Sequence, residues 1–317
     1  MIGVNETAKL CQAVVAEVER AIVGKDRLLE QIMIACLAGG HILLEDYPGL
    51  GKTILSKSFA AALGLTFKRI QFTPDLLPGD ITGGYVFNRS EDRFELRHGP
   101  IFANIILADE INRASPKTQS ALLEAMQEVQ VTLEGETMKL DEPFIVIATQ
   151  NPIEYEGTFP LPEAQLDRFL LKLSVGYPSL EAEKEMLQRR RNRSRDEVEI
   201  QRVIDGNILL EMRQVVEKVH VESDLEHYMV SLVQATRKDR RVVVGASPRG
   251  SLALLKVSRA QAALEGRDYI IPDDIKSFIR PALAHRLILE PEYWMKLQAV
   301  NEILDQIAET VPVPVLR

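Results

Sequence analysis

The stretch that most constrains this chain is Glu45-Asp46-Tyr47-Pro48-Gly49-Leu50-Gly51-Lys52-Thr53. It lies between an apolar run, Ile42-Leu43-Leu44, and a helical run, Ile54-Leu55-Ser56-Lys57-Ser58-Phe59-Ala60. Strand, glycine-rich loop, Gly-Lys-Thr and helix are the layout of a phosphate-binding P-loop, and they point to an α/β core. Gly49 and Gly51 let backbone N–H groups curl around a β-phosphate with no side chain in the way. The helix that starts near Lys52 aims its positive dipole end at the same phosphates. Lys52 reaches the β- and γ-phosphates, and the Thr53 hydroxyl takes a Mg²⁺ coordination position. Pro48, Leu50 and Ile54 complete the nucleotide-binding segment. Asp46 stands where the usual pattern has its first glycine. A carboxylate facing phosphates is repelled, so its side chain is expected to point away and bond the loop backbone.

A second apolar run, Ile105-Ile106-Leu107-Ala108, ends in Asp109-Glu110. An all-apolar run marks a buried parallel strand, and the carboxyl end of such a strand is where an α/β sheet places ligands. Asp109 is expected to hold Mg²⁺ and Glu110 to polarise the attacking water as general base. A third buried strand, Phe144–Thr149, ends in Gln150-Asn151-Pro152. Asn151 either holds the attacking water beside the γ-phosphate or is a turn residue before proline. Arg168 follows Asp167 between apolar residues. It reads either as an arginine finger delivered to a γ-phosphate or as a surface partner of Asp167. Around these lie two hairpins, Tyr85–Leu96 and Val131–Leu140.

The 317 residues suggest about two domains. A composition of 46% hydrophobic and 26% charged residues fits a globular chain with a sizeable core. The net charge of −8 argues against a dedicated nucleic-acid binder. Cys11 and Cys36 have no metal-ligand spacing and read as buried thiols in a reducing compartment. No signal peptide and no membrane-spanning run is evident, so a cytoplasmic protein is the default expectation. From Glu181 the pattern turns helical, with Val242-Val243-Val244 the exception. The boundary therefore falls near Tyr177, giving a nucleotide-binding domain at 1–176 and a helical domain at 177–317. The basic cluster Arg189–Arg195 lacks interleaved aromatics and reads as a solvated helix end. Arg249, in the first turn of a helix opened by Ser247-Pro248, opposes the helix dipole, which implies another task. The five histidines form no ligand-like cluster. The tail Val311-Pro312-Val313-Pro314-Val315 is expected to be extended.

Over nearly its whole length the chain resembles AAA+ ATPases of the MoxR family. The resemblance is carried by the P-loop stretch, by Gln71-Phe72-Thr73-Pro74-Asp75-Leu76-Leu77-Pro78-Gly79-Asp80-Ile81-Thr82-Gly83, by Leu107–Ala114, by Ala148–Pro152 and by Glu163–Phe169. It implies an AAA+ P-loop core with a parallel sheet and a helix-2 insert at Thr73–Pro100, a pre-sensor hairpin at Val131–Leu140, and an all-α lid. Asn151 then matches sensor 1, Arg168 the arginine finger and Arg249 sensor 2. Val23 and Gly24 match the segment lining the adenine pocket. Whether Arg249 acts on its own or a neighbour's nucleotide stays open. The resemblance further implies ATP or ADP with Mg²⁺, a homo-oligomeric ring such as a hexamer, a protein client, and a partner with a von Willebrand factor A domain. With no further C-terminal module expected, the client contact falls to the ring or a separate partner. Two alternatives remain, a magnesium-chelatase-like AAA+ subunit and a nucleotide-gated scaffold that recruits its partner without turnover. A nucleic-acid motor is disfavoured by charge.

Overall fold

The computed structural model describes residues 2–152, 157–294, 296 and 298–314. Its centre is a five-stranded sheet in the order β2-β5-β8-β1-β9. The strands are β1 (Ile42–Glu45), β2 (Phe67–Gln71), β5 (Ile105–Asp109), β8 (Ile145–Gln150) and β9 (Leu171–Leu173). All four neighbouring pairs are parallel. The strands read as continuous apolar runs because both faces of the sheet are covered. Alternation still sorts their side chains. Ile42, Leu44, Ile105, Leu107, Ile145 and Ile147 enter one hydrophobic cluster, while Leu43, Ile106, Ala108, Val146 and Ala148 enter another. Ile105, Ile106 and Leu107 are fully buried. Each such side chain is worth roughly 1.5–3 kcal/mol, so β5 anchors the sheet.

The first cluster joins three sets of helices. One is α1 (Val4–Glu19) with α2 (Asp26–Leu37), and the second is the P-loop helix α3 (Lys52–Ala62). The third lies beyond residue 177. It comprises α7 (Leu180–Arg193), α8 (Gly206–Glu217), α9 (Ser223–Lys238), α10 (Pro248–Leu264), α11 (Pro272–Lys276), α12 (Ile279–Leu283) and α13 (Ala299–Thr310). Helices α1 and α2 pack against α10 as well as against the sheet side. Cys11 and Cys36 are free thiols inside this cluster, and burial pushes both up to about 12. Strand β10 (Val242–Val244) pairs antiparallel with β11 (Ile288–Leu289) within the helical part.

The second cluster is covered by α5 (Pro116–Glu128), whose amino end is capped by the Ser115 side chain. Two antiparallel hairpins stand beside it. One joins β3 (Gly83–Asn88) to β4 (Arg93–His98) after the short helix α4 (Pro78–Thr82). The other joins β6 (Gln130–Leu133) to β7 (Glu136–Lys139). Tyr85 of the first donates a hydrogen bond to Glu136 of the second at 3.3 Å. Helix α2 opens with Asp26 in its first turn, where its charge favours the helix dipole, and with Lys25 at the N-cap. The tail leaves α13 in extended geometry at Val311. Val315 lies outside the described residues.

Candidate nucleotide site and a cation-lined cavity

Because β1 and β5 flank β8, the ends of all three strands converge on one edge of the sheet. Glu45 pairs with Gln150, and Gln71 with Asp109. The P-loop, the two acids and Asn151 follow directly from those ends. Gly49 (φ 84°) and Gly51 (φ 78°) are left-handed, a region that disfavours any other residue. A Cβ added at either would meet no atom within 4 Å, so the cradle is open above the loop. Helix α3 starts at Lys52 with no side-chain cap and no acid in its first turn. Its first N–H groups are therefore available to an anion. The Lys52 ammonium donates to the Asp46 carbonyl at 2.9 Å. Burial lowers its pKa, while Asp46, Asp109 and Glu110 push the other way. This donor set suits a nucleotide triphosphate, and Thr53 with Asp109 suits a hard cation such as Mg²⁺.

Asp46 is buried, and its carboxylate turns away from the loop cradle. It accepts from the Ser174 hydroxyl at 2.8 Å, from the Gly176 N–H at 3.2 Å and from the Val175 N–H. Its partners are thus the exit of β9 rather than the loop's own backbone, which corrects the expectation of a local Asx bond.

The two acids at the end of β5 are both engaged. Asp109 accepts from the Thr149 hydroxyl at 2.7 Å on one oxygen. On the other it accepts from Arg69, at 2.6 Å through Nη2 and 3.1 Å through Nε. The Glu110 N–H donates to the same Thr149 hydroxyl at 2.8 Å. Glu110 itself has φ 56°, a strained value for a residue with a Cβ, at the turn out of β5. Its carboxylate accepts from Gln71 at 2.9 Å and from Arg113 at 3.0 Å. Arg69 also donates to the Gln71 side-chain oxygen at 2.6 Å. One chain of contacts therefore links the two acids through β2. Asn151 is buried at the exit of β8. Sequence reasoning missed Arg69 and Thr149 as partners of the acids. The alternation of β2, which puts Arg69 and Gln71 on one face ending level with Asp109, is the signal that could have found Arg69.

Val23 and Ile54 line a common cavity of about 670 Å³ between the outer face of α3 and helix α7. Gly24 (φ 67°) is not among its lining residues. It packs on α7, where a Cβ would come within 2.7 Å of the Ala182 Cβ. The cluster expected to be a solvated helix end also faces this cavity through Arg189, Arg190, Arg193 and Arg195. It is braced internally, by Arg189 on Glu185 and the Glu19 carbonyl and by Arg190 on Asp196.

Arg168 and Arg249 do not join the P-loop. Both line a cavity of about 380 Å³ that also touches Gly40 and His41 before β1, Phe144 before β8 and Leu170 before β9. That is the amino edge of the sheet, and the four residues of β1 separate it from the P-loop edge by roughly 13 Å. Arg168 donates to the Leu123 carbonyl at 2.7 Å and makes no ion pair with Asp167. Asp167 instead accepts from Arg286 at 2.8 Å and from the Ser247 hydroxyl at 2.8 Å, tying the strand side to the lid. This corrects the reading of Arg168 as the surface partner of Asp167.

A P-loop after β1, acids at the end of β5 two places away with β8 between them, and a helical body packed behind define an AAA-type ATPase fold. The family profile described as "ATPase family associated with various cellular activities (AAA)" matches residues 41–171, and an AAA lid domain profile matches 234–307. Among relatives, YeaC of Bacillus subtilis is 49% identical, over 96% of this chain and 94% of that protein. Chaperone MoxR1 of Mycobacterium tuberculosis is 42% identical, over 98% of this chain and 84% of that one. A crystal structure of a presumed ATPase from Cytophaga hutchinsonii superposes with a TM-score of 0.90 at 40% identity, covering 98% of this chain and 96% of the other. Magnesium-chelatase subunits match less: that of Chlorella vulgaris is 29% identical over 59% of this chain. The chain belongs to the MoxR family of AAA+ proteins.

Proposed function

We propose that this protein is a Mg²⁺-dependent ATPase whose active site is shared between copies, working as a chaperone-like remodelling ring. The observation that carries the reading is the opposition of the two edges. Lys52, Thr53, Asp109, Glu110 and Asn151 gather at the carboxyl ends of the strands, whereas Arg168 and Arg249 sit together at the amino edge. Arginines so placed cannot touch their own nucleotide but can present charge to that of a neighbouring copy, so both Arg168 and Arg249 are assigned to act in trans. In a closed ring each copy donates one edge and receives the other.

Within one copy, Gly49, Gly51 and the start of α3 bind the phosphates, flanked by Pro48 and Leu50, and Lys52 neutralises them. Val23 and Ile54 cover the base end, with Gly24 closing that segment on α7. Bound Mg²⁺, held by Thr53 and Asp109, would supply charge neutralisation between phosphate oxygens. Glu110 takes the proton of the attacking water, and Asn151 orients that water. For this Glu110 must release Gln71 and Arg113, and Asp109 must release Arg69, so the contacts across β2 act as a brake on hydrolysis. The same brake is the observation that favours a second reading, a nucleotide-gated scaffold without turnover. The hexameric ring, the protein client and a partner with a von Willebrand factor A domain belong to the first reading through the family. The exposed aromatic hairpin β3–β4 supports contact with a protein client.

The test is ATP turnover per subunit against protein concentration. The shared site requires turnover per subunit to rise with concentration, and Arg168→Ala to abolish it at every concentration. Turnover flat with concentration and indifferent to Arg168→Ala removes the shared site. Glu110→Gln is expected to keep nucleotide affinity and lose at least ~100-fold in turnover, separating the ATPase from the scaffold.

A further inference from the structure

The cavity at the amino edge holds more cations than the two that family resemblance assigns. Arg213 of α8 and Lys256 of α10 line it together with Arg168 and Arg249. Arg286 also reaches it but is paired with Asp167, leaving Glu142 as the remaining acid of the lining. Four further cations around about 380 Å³ repel one another with Glu142 alone left to offset them, so the cavity suits an anion.

Two unpaired donors point the same way. The Nε of Arg168 and the Nη2 of Arg213 are buried without a hydrogen-bond partner. Buried guanidinium N–H groups seldom stay unmatched, because each such group loses its water for nothing in return. Arg213 is held in place by its Nε, which donates to the Cys36 carbonyl at the end of α2 at 2.9 Å. Burial lowers its pKa, the direction that an arriving anion relieves. Lys256 lies two helical turns after Arg249, so both stand on one face of α10, and both are exposed. Leu252 between them is 57% exposed and also lines the cavity, an apolar rim suited to cover by protein.

We infer that Arg213 and Lys256 join Arg168 and Arg249 in a four-cation receptor for the triphosphate of a second copy's nucleotide. This rests on the shared-site reading and deepens it. Three of the four cations come from the helical part and one from the sheet side, so the incoming polyphosphate bridges both parts of the receiving copy. Lys256, exposed at the rim, contributes charge to the docking of the neighbour rather than a contact to the scissile bond.

The test uses the full chain carrying Lys256→Ala, with Lys256→Arg as the charge-preserving control. Two quantities are read: affinity for a fluorescent non-hydrolysable ATP analogue at a dilution where copies are apart, and the protein concentration giving half-maximal turnover. The expected result is unchanged affinity in dilute protein, a ~10-fold higher half-maximal concentration for Lys256→Ala, and recovery in Lys256→Arg. Lys256→Ala that tracks the wild type in both readouts overturns the inference, as does weakened affinity in dilute protein, which would place Lys256 on its own copy's nucleotide. Wild-type turnover independent of concentration is a different result and removes the shared site itself. Arg213→Lys keeps a donor for the Cys36 carbonyl. Its half-maximal concentration is expected to rise in the same direction, with the unfolding midpoint checked alongside to exclude a folding defect.

Discussion

His41 shows how much a single buried ring can be asked to do. Its Nε2 bonds the Met126 carbonyl at 2.8 Å, and its Nδ1 accepts from the Val146 N–H at 3.0 Å. Both bonds require the neutral ring with the proton on Nε2. Burial, the largest cause, lowers its pKa from 6.5 to about 4. The unfolded chain therefore binds more protons than the folded one between those values, and stability falls as pH drops through that window. The expected loss from this ring between pH 7.5 and 5 is about 2 kcal/mol, read from denaturant midpoints. His41→Gln, which can make both bonds without titrating, should shrink that loss. Asp46 makes a second case at this scale. Replacing it by the glycine usual at this place in a P-loop strips the Val175 and Gly176 N–H groups of their acceptor. Asp46→Gly is expected to cost about 2–3 kcal/mol in thermal or chemical unfolding. An unchanged midpoint would mean that water replaces the carboxylate at no cost.

Among the elements, the hairpin β3–β4 carries its aromatic side chains outward. Phe87 and Phe94 are 45% and 68% exposed, with ring centres 5.2 Å apart across the strand pair. Their contact is worth about 0.5–1.5 kcal/mol beyond area, and little else would be lost on removal. Phe94→Ser should shift the unfolding midpoint by less than about 1 kcal/mol while weakening binding of the proposed protein client. A larger loss of stability would show that the ring is packed rather than presented. The elements also show what could be read in the chain beforehand. The strands β1, β5 and β8 were legible because an apolar run bounded by acids or glycine has few other uses, and the P-loop was legible from its residue types. The bonds of Asp46 to Ser174, of Arg69 to Asp109 and of Asp167 to Arg286 were not. Each joins residues far apart in the chain, and only the sheet order β2-β5-β8-β1-β9 brings them together. Neighbouring residues misled at Arg168, where an adjacent acid suggested a pair that the fold spends elsewhere.

At the scale of the whole molecule, the ion pair of Asp167 with Arg286 pins the lid to the sheet side. The Arg286 side chain is 3% exposed and that of Asp167 is 18% exposed. Removing Arg286 leaves a half-buried carboxylate with only the Ser247 hydroxyl, so Arg286→Met is expected to destabilise by about 2–3 kcal/mol. A single cooperative unfolding transition in that variant would show that lid and core still melt together, whereas two transitions would show that the pin couples them. A deeper bond between the parts is the hydrophobic cluster that α1 and α2 share with the lid helices. The first forty residues are therefore tenants of both halves. A chimaera that exchanges everything after residue 177 between two relatives inherits a mismatched seam along α1 and α2. One that exchanges the first two helices together with the lid keeps the seam whole. The unit that recombination can move is thus discontinuous in the gene although it is continuous in space.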